Sequence, residues 1–216
     1  MMRGLEPSRR ALLLAVLVGP ALVAPRWAWA QAADADAPAA PIAALLDGLR
    51  KVMAAGNSMP FQQRYDALAP IVERAINIPQ ILQTSVGLRW RELPPEKQAQ
   101  LLDVFRRYTI AQYVANFQSS EDKLALLPGL RSAGADQIVQ TELIDPSGEH
   151  TKIDYVMAPA DGGWKAIDVL LDGSISRVAV QRSDFRSLVA TGDGSALIDS
   201  LQQKTAQLAG GALKAG

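Results

Sequence analysis

The chain has 216 residues, 49% apolar, 20% charged and 6% aromatic, the make-up of a folded domain and not of a disordered or disulfide-stapled one. Basic and acidic residues balance at 22 each, so overall charge recommends neither nucleic acid nor an anionic surface as a partner. With no Cys and a single His, His150, there is no thiol nucleophile, and carboxylates are the only metal ligands present in number.

Arg3, Arg9 and Arg10 precede an uncharged run from Ala11 to Pro25, and Ala28-Trp29-Ala30 places small residues where an export signal is cut. Residues 1–30 are therefore expected to be a cleaved signal peptide. The apolar run is interrupted by Pro20 and is shorter than the roughly 20 residues a membrane-spanning helix needs. Ser8-Arg9-Arg10 fits a twin-arginine as well as a secretory signal. Cleavage would remove four arginines and Glu6, leaving a mildly acidic body, with the periplasm as the expected compartment. Residues 31–41, rich in Ala, Asp and Pro, read as a flexible lead-in, and 209–216 as a disordered tail.

Between them, residues 42–208 read as one domain. Ile42, Leu45, Leu46, Leu49, Val52 and Met53 share one face of a helix ending near Gly56. Phe61, Tyr65, Leu68, Val72 and Ile76 continue the rhythm, and Pro70 is expected to split that stretch in two. A further helix starts near Pro79 and stops at Gly87. Pro94-Pro95-Glu96 opens the longest, with Leu101, Val104, Phe105, Tyr108, Ala111 and Ala115 as its stripe.

After Pro128-Gly129 the period falls to two, which predicts four antiparallel strands at about 135–144, 151–158, 164–171 and 174–181. Ser183 is expected to cap a helix through Phe185 and Leu188, and Ser195 opens the last one. The fold class is α+β: a helical N-terminal half on a four-stranded antiparallel meander sheet, followed by two C-terminal helices. The strand from Trp164 to Leu171 is apolar on both parities, as if both sheet faces were covered. Ile153, Tyr155 and Met157, with Val178 and Val180 on the next strand, face the long helix's stripe. Apolar stripes of this kind ordinarily fill a core, so periodicity by itself describes a solid interior.

A family resemblance alters that expectation. Phe61-Gln62-Gln63-Arg64-Tyr65, Gly87-Leu88-Arg89-Trp90 before the long helix, Tyr155, and Gly163-Trp164-Lys165-Ala166-Ile167-Asp168-Val169 together resemble the MlaC family of periplasmic lipid-binding proteins, the toluene-tolerance auxiliary proteins. The stretch from Asp172 to Phe185 resembles the hopanoid-associated branch, HpnM. The resemblance implies an apolar cavity between sheet and helices and a carrier of hopanoid or phospholipid. It also implies exchange with a membrane-bound lipid transporter or export complex, with no cofactor, no metal and no enzymatic step. A monomer is expected. The residues expected to line the cavity are Leu101, Val104, Phe105, Tyr108, Ile153, Tyr155, Met157, Trp164, Val169, Leu171 and Val178. The chain departs from the family at Ala75-Ile76-Asn77, where members often carry Phe-Asp.

Other residues admit two roles. Asp168 could pair with Arg177 across the sheet, or serve with Tyr155 as acid and base in a small α+β enzyme. Arg182 and Arg186, one helical turn apart, could meet a head group or an acidic partner, or form a solvated helix face. His150 is expected to be exposed in a hairpin. The remaining alternative is an adaptor that binds no lipid, with a filled interior.

Overall fold

The computed structural model describes residues 38–160, 163–190 and 193–212. The expected signal peptide, residues 31–37 of the expected lead-in and the end of the expected tail lie outside the described residues.

Helix α1 (Ala40–Ala55) buries Ile42, Leu45, Leu46, Leu49, Val52 and Met53, with Pro41 in its first turn. A Cβ at Gly48 would come within 2.6 Å of the Ile71 side chain, so the glycine lets α1 and α2 approach closely. Helix α2 (Phe61–Ala75) runs straight through Pro70 instead of splitting there. The proline costs about 3 kcal/mol, but Tyr65, Leu68, Val72 and Ala75 are buried around it, at roughly 1.5–3 kcal/mol for each large side chain. Asn77 caps α3 (Ile78–Val86), its side chain accepting from the Gln80 N–H. Gly87, at φ +72°, ends it. A 3₁₀ turn (Gly87–Glu92) leads to α4 (Pro95–Asn116), the longest helix.

The sheet has five strands in the order β1-β2-β3-β4-β5, all neighbours antiparallel: β1 (Lys123–Ala133), β2 (Asp136–Ile144), β3 (His150–Ala160), β4 (Gly163–Leu171) and β5 (Ile175–Ser176). The first strand was not expected, because Pro128-Gly129 reads as a boundary. Both residues sit in a register irregularity between Leu126 and Leu130 of this edge strand, where a missing N–H and a positive φ are tolerated. The fourth expected strand shrinks to the two residues of β5, and α5 (Arg177–Val189) follows at once. Its cap is Ser176, whose Oγ accepts from the Ala179 N–H, whereas Ser183 lies inside the helix. Val178, Phe185 and Val189 fall on one helical face, and the Val178–Val180 alternation that suggests a strand is too short to tell strand from helix. Helix α6 (Ser195–Leu208) closes the fold.

A bulge between Val156 and Met157 explains the doubly apolar strand. Tyr155 pairs with Val169 and Ile153 with Leu171, but beyond the bulge Met157 pairs with Ala166. One residue, Ile167, is therefore extra in β4, and the inward parity flips across it. Trp164, Ala166 and Val169 all join the hydrophobic core, which continues into Val139 and Leu124. The opposite face, with Val156 and Leu170 half-buried, stands outside that core. There the buried Asp154 carboxylate meets Arg131 at 2.8 Å.

Candidate functional site: an apolar cavity between sheet and helices

A cavity of about 450 Å³ lies where α3, α4 and α5 face the C-terminal end of β4 and the adjoining parts of β2 and β3. Of the residues expected to line it, Phe105, Ile153, Tyr155, Val169, Leu171 and Val178 do so. Val178 projects from the first turn of α5 and not from a strand; Val180, expected beside it, is exposed. Five others lie elsewhere. Leu101, Val104 and Met157 are buried in the continuous core, while Tyr108 and Trp164 are half-buried against it. The two groups divide along the structure. The N-terminal half of α4 and the sheet beyond the bulge form the packed end, and the C-terminal half of α4 with the Tyr155–Val169 and Ile153–Leu171 pairs forms the hollow end.

Several wall residues escape a search for apolar stripes. Thr109, Gln112, Tyr113 and Asn116 follow Phe105 at helical spacing along α4, and their polar atoms hide the continuation of one face. Ile76, Ile78 and Ile81 come from the α2–α3 junction. Ile76 lies within the family departure noted above and bridges in parallel to Ala166, while the Asn77 N–H donates to the Ala166 carbonyl at 2.8 Å. That junction thus continues the sheet edge into the cavity wall.

Polar groups collect along one side. The Tyr113 and Tyr155 hydroxyls share a hydrogen bond, and both rings face the cavity. Burial pushes the Tyr155 phenol up to about 12 and holds Tyr113 well above its ordinary value, with Tyr155 adding to the rise and Arg177 opposing it. A phenol raised in the folded state gives its full stability below the unfolded value of 10.0 and loses it as pH climbs towards 12, because the unfolded chain releases its proton first. Thermal unfolding followed across alkaline pH should show a Tm insensitive to these phenols up to about pH 10 and falling above it. Tyr155→Phe should flatten that fall; an unchanged slope would place the titrating groups elsewhere.

Asp168 does not pair with Arg177, nor does it reach Tyr155. Its Oδ1 accepts from the Val169 N–H at 2.7 Å and the Val178 N–H at 3.0 Å, and its Oδ2 accepts from the Ser176 hydroxyl. The carboxylate is occupied in joining β4 to the start of α5, a capping role. With Asp168 held by Val169, Ser176 and Val178 and Tyr155 hydrogen-bonded to Tyr113, the two groups are not joined as the acid–base reading requires. Gln181, also on the wall, accepts from Ser85 Oγ at 3.2 Å and ties α5 to α3. His150 is exposed, with Nδ1 at 3.0 Å from Glu142 across the hairpin.

Among the described residues, no cluster of three or more acidic, His or Cys side chains is placed to hold a metal ion. No helix among them is long and apolar enough to cross a membrane.

Residues 44–203 match the family model described as MlaC protein. Among solved structures, the fold is similar to that of the phospholipid-binding protein from Ralstonia solanacearum, determined in complex with a phospholipid. The TM-score is 0.67 at 24% identity, covering 81% of this chain and 99% of that one; at this identity the likeness establishes the fold. No curated protein matches the chain.

Proposed function

Since the chain belongs to the MlaC family, we propose that it is a periplasmic lipid carrier, exported with a cleaved signal, that houses part of the hydrocarbon of a hopanoid or phospholipid and passes the lipid between membrane-bound complexes. The observation that carries this reading is the cavity. At roughly 30 Å³ per small group, its 450 Å³ admits about fifteen methylene-sized groups. At about 0.8 kcal/mol for each methylene withdrawn from water, such a guest is held by roughly 12 kcal/mol against the aqueous phase, so free lipid in water is negligible. Exchange between a bilayer and the cavity is different, because both ends are apolar and the balance is small. A docking partner that alters the walls can then load or unload cargo.

The phospholipid-bound relative from Ralstonia supports a phospholipid cargo. The HpnM-like stretch from Asp172 to Phe185 favours a hopanoid, and its residues Arg177, Val178 and Gln181 lie on the cavity wall. Nothing in this role calls for a cofactor or a chemical step. Native mass spectrometry and lipid extraction of protein purified from its own periplasm test the reading. Copurified hopanoid or phospholipid at near one molecule per chain is expected, and repeated isolation without lipid would instead make it an adaptor.

A further inference from the structure

The turn Gly87–Glu92 holds one feature that lipid storage does not use. Leu88 is 82% exposed, the most open large apolar side chain among the described residues. It is not loosely held. Trp90 beside it packs against the core, the Trp90 carbonyl accepts from Gln98 Nε2 at 3.0 Å, and Gly87 fixes the turn's start at φ +72°. Leu88 therefore projects from a pinned support.

Arginines surround it. Arg89 and Arg91 lie within the turn and are exposed. The Arg182 guanidinium of α5 lies 3.7–3.9 Å from the position a Cβ would take on Gly87, and Arg186 follows one helical turn on. The turn, the first turn of α4 and α5 carry three acids. Glu92 is paired with Arg89, Glu96 starts α4, and Asp184 is exposed on α5 between Arg182 and Arg186. Four arginines against these three acids leave the patch an excess of one positive charge in a chain of zero formal net charge.

We infer that this patch is a docking surface for an anionic bilayer, with Leu88 as the inserted tip and Arg91, Arg182 and Arg186 against lipid phosphates. An isolated apolar tip with an aromatic residue at its base and cations around it is the arrangement that settles at a membrane interface, where the tip enters the acyl boundary and the guanidinium groups stay at head-group level. The location adds to the case. The patch is built on the end of α3 and on α5, the two helices that wall the cavity through Ile78, Ile81, Val178 and Gln181. Docking would bring that wall towards the bilayer, and in this the inference rests on the carrier reading.

Flotation of the purified mature protein with vesicles of phosphatidylcholine alone, and of phosphatidylcholine with phosphatidylglycerol, tests it. The protein should rise with the anionic vesicles only and be released by added salt. Arg91→Gln and Arg182→Gln should each weaken partitioning about fivefold, and Leu88→Ser should weaken it about tenfold. The copurified lipid of all three variants should stay at the wild-type level. Variants that float as well as wild type, or a folded wild-type protein that floats with neither vesicle, overturn the inference. So does a protein partner whose binding these substitutions abolish when no vesicle binding exists. Lipid-loaded protein that does not float sinks the docking surface and leaves the carrier standing; protein that floats but never carries lipid does the reverse.

Discussion

Replacing Val169 by arginine is expected to strip the protein of copurifying lipid, by more than tenfold as measured by extraction and mass spectrometry. Val169 sits opposite Tyr155 on the cavity wall, so the new side chain both occupies space and adds a charge to an apolar site. A guest chain would then have to bury against a second guanidinium on a wall that already carries Arg177, with Asp168, the one carboxylate of that wall, held in place by Val169, Ser176 and Val178. Burial of an unpaired charge costs several kcal/mol, enough to outweigh a small bilayer-to-cavity difference. The empty protein escapes most of that cost, because water enters the cavity and solvates the charge. Val169→Trp, which fills space without charge, should reduce loading less. Leu101→Ala supplies the contrast: in the packed end of α4 it should destabilise the fold by about 2–5 kcal/mol and leave lipid content per folded molecule unchanged. Wild-type lipid in a well-folded Val169→Arg protein would remove this cavity from consideration as the site.

The second large effect concerns the joint between sheet and helix. Asp168→Ala should cost about 3 kcal/mol, because three hydrogen bonds to one carboxylate disappear and the Val178 N–H is left without its acceptor. For a chain of this size, that is a fall in Tm of roughly 6–12 °C. Asp168→Asn keeps an acceptor for the two N–H groups and should cost about 1 kcal/mol. Calorimetry of both variants separates this role from the catalytic one that the sequence also allowed. A catalytic carboxylate would be replaceable by alanine with little loss of stability, and a stable Asp168→Ala protein would refute the joint. Looser anchoring of α5 should also lower lipid content, since Arg177, Val178 and Gln181 line the cavity from its first turns.

Much of this architecture can be read from spacing alone. The face of α1 from Ile42 to Met53, the stop at Gly87 and the start of α4 at Pro95 follow from local chemistry and apply in the structure. The failures share a cause, tertiary packing overriding a local signal. Pro70 breaks a helix only where burial does not compensate, and Pro128 ends a strand only where its N–H is needed. Val178 and Val180 alternate like strand residues, yet the caps at Ser176 and Asp168 start a helix there. The cavity was half legible for the same reason. An apolar pattern identifies what turns inward but not whether the inward space is filled, so Leu101, Val104 and Met157 look like Phe105, Ile153 and Val169. The polar wall of Thr109, Gln112 and Asn116 gave no apolar signal at all.

The additional residue in β4 has a consequence for how such a protein can diversify. Because Ile167 changes the phase of the strand, the stretch that secures the fold and the stretch that lines the cavity answer to different demands on one continuous backbone. Substitutions from Val169 onward can resize or recolour the chamber without disturbing the foundation around Ala166 and Met157. The volume and polarity of the chamber are thus free to vary over half a strand, with the scaffold untouched.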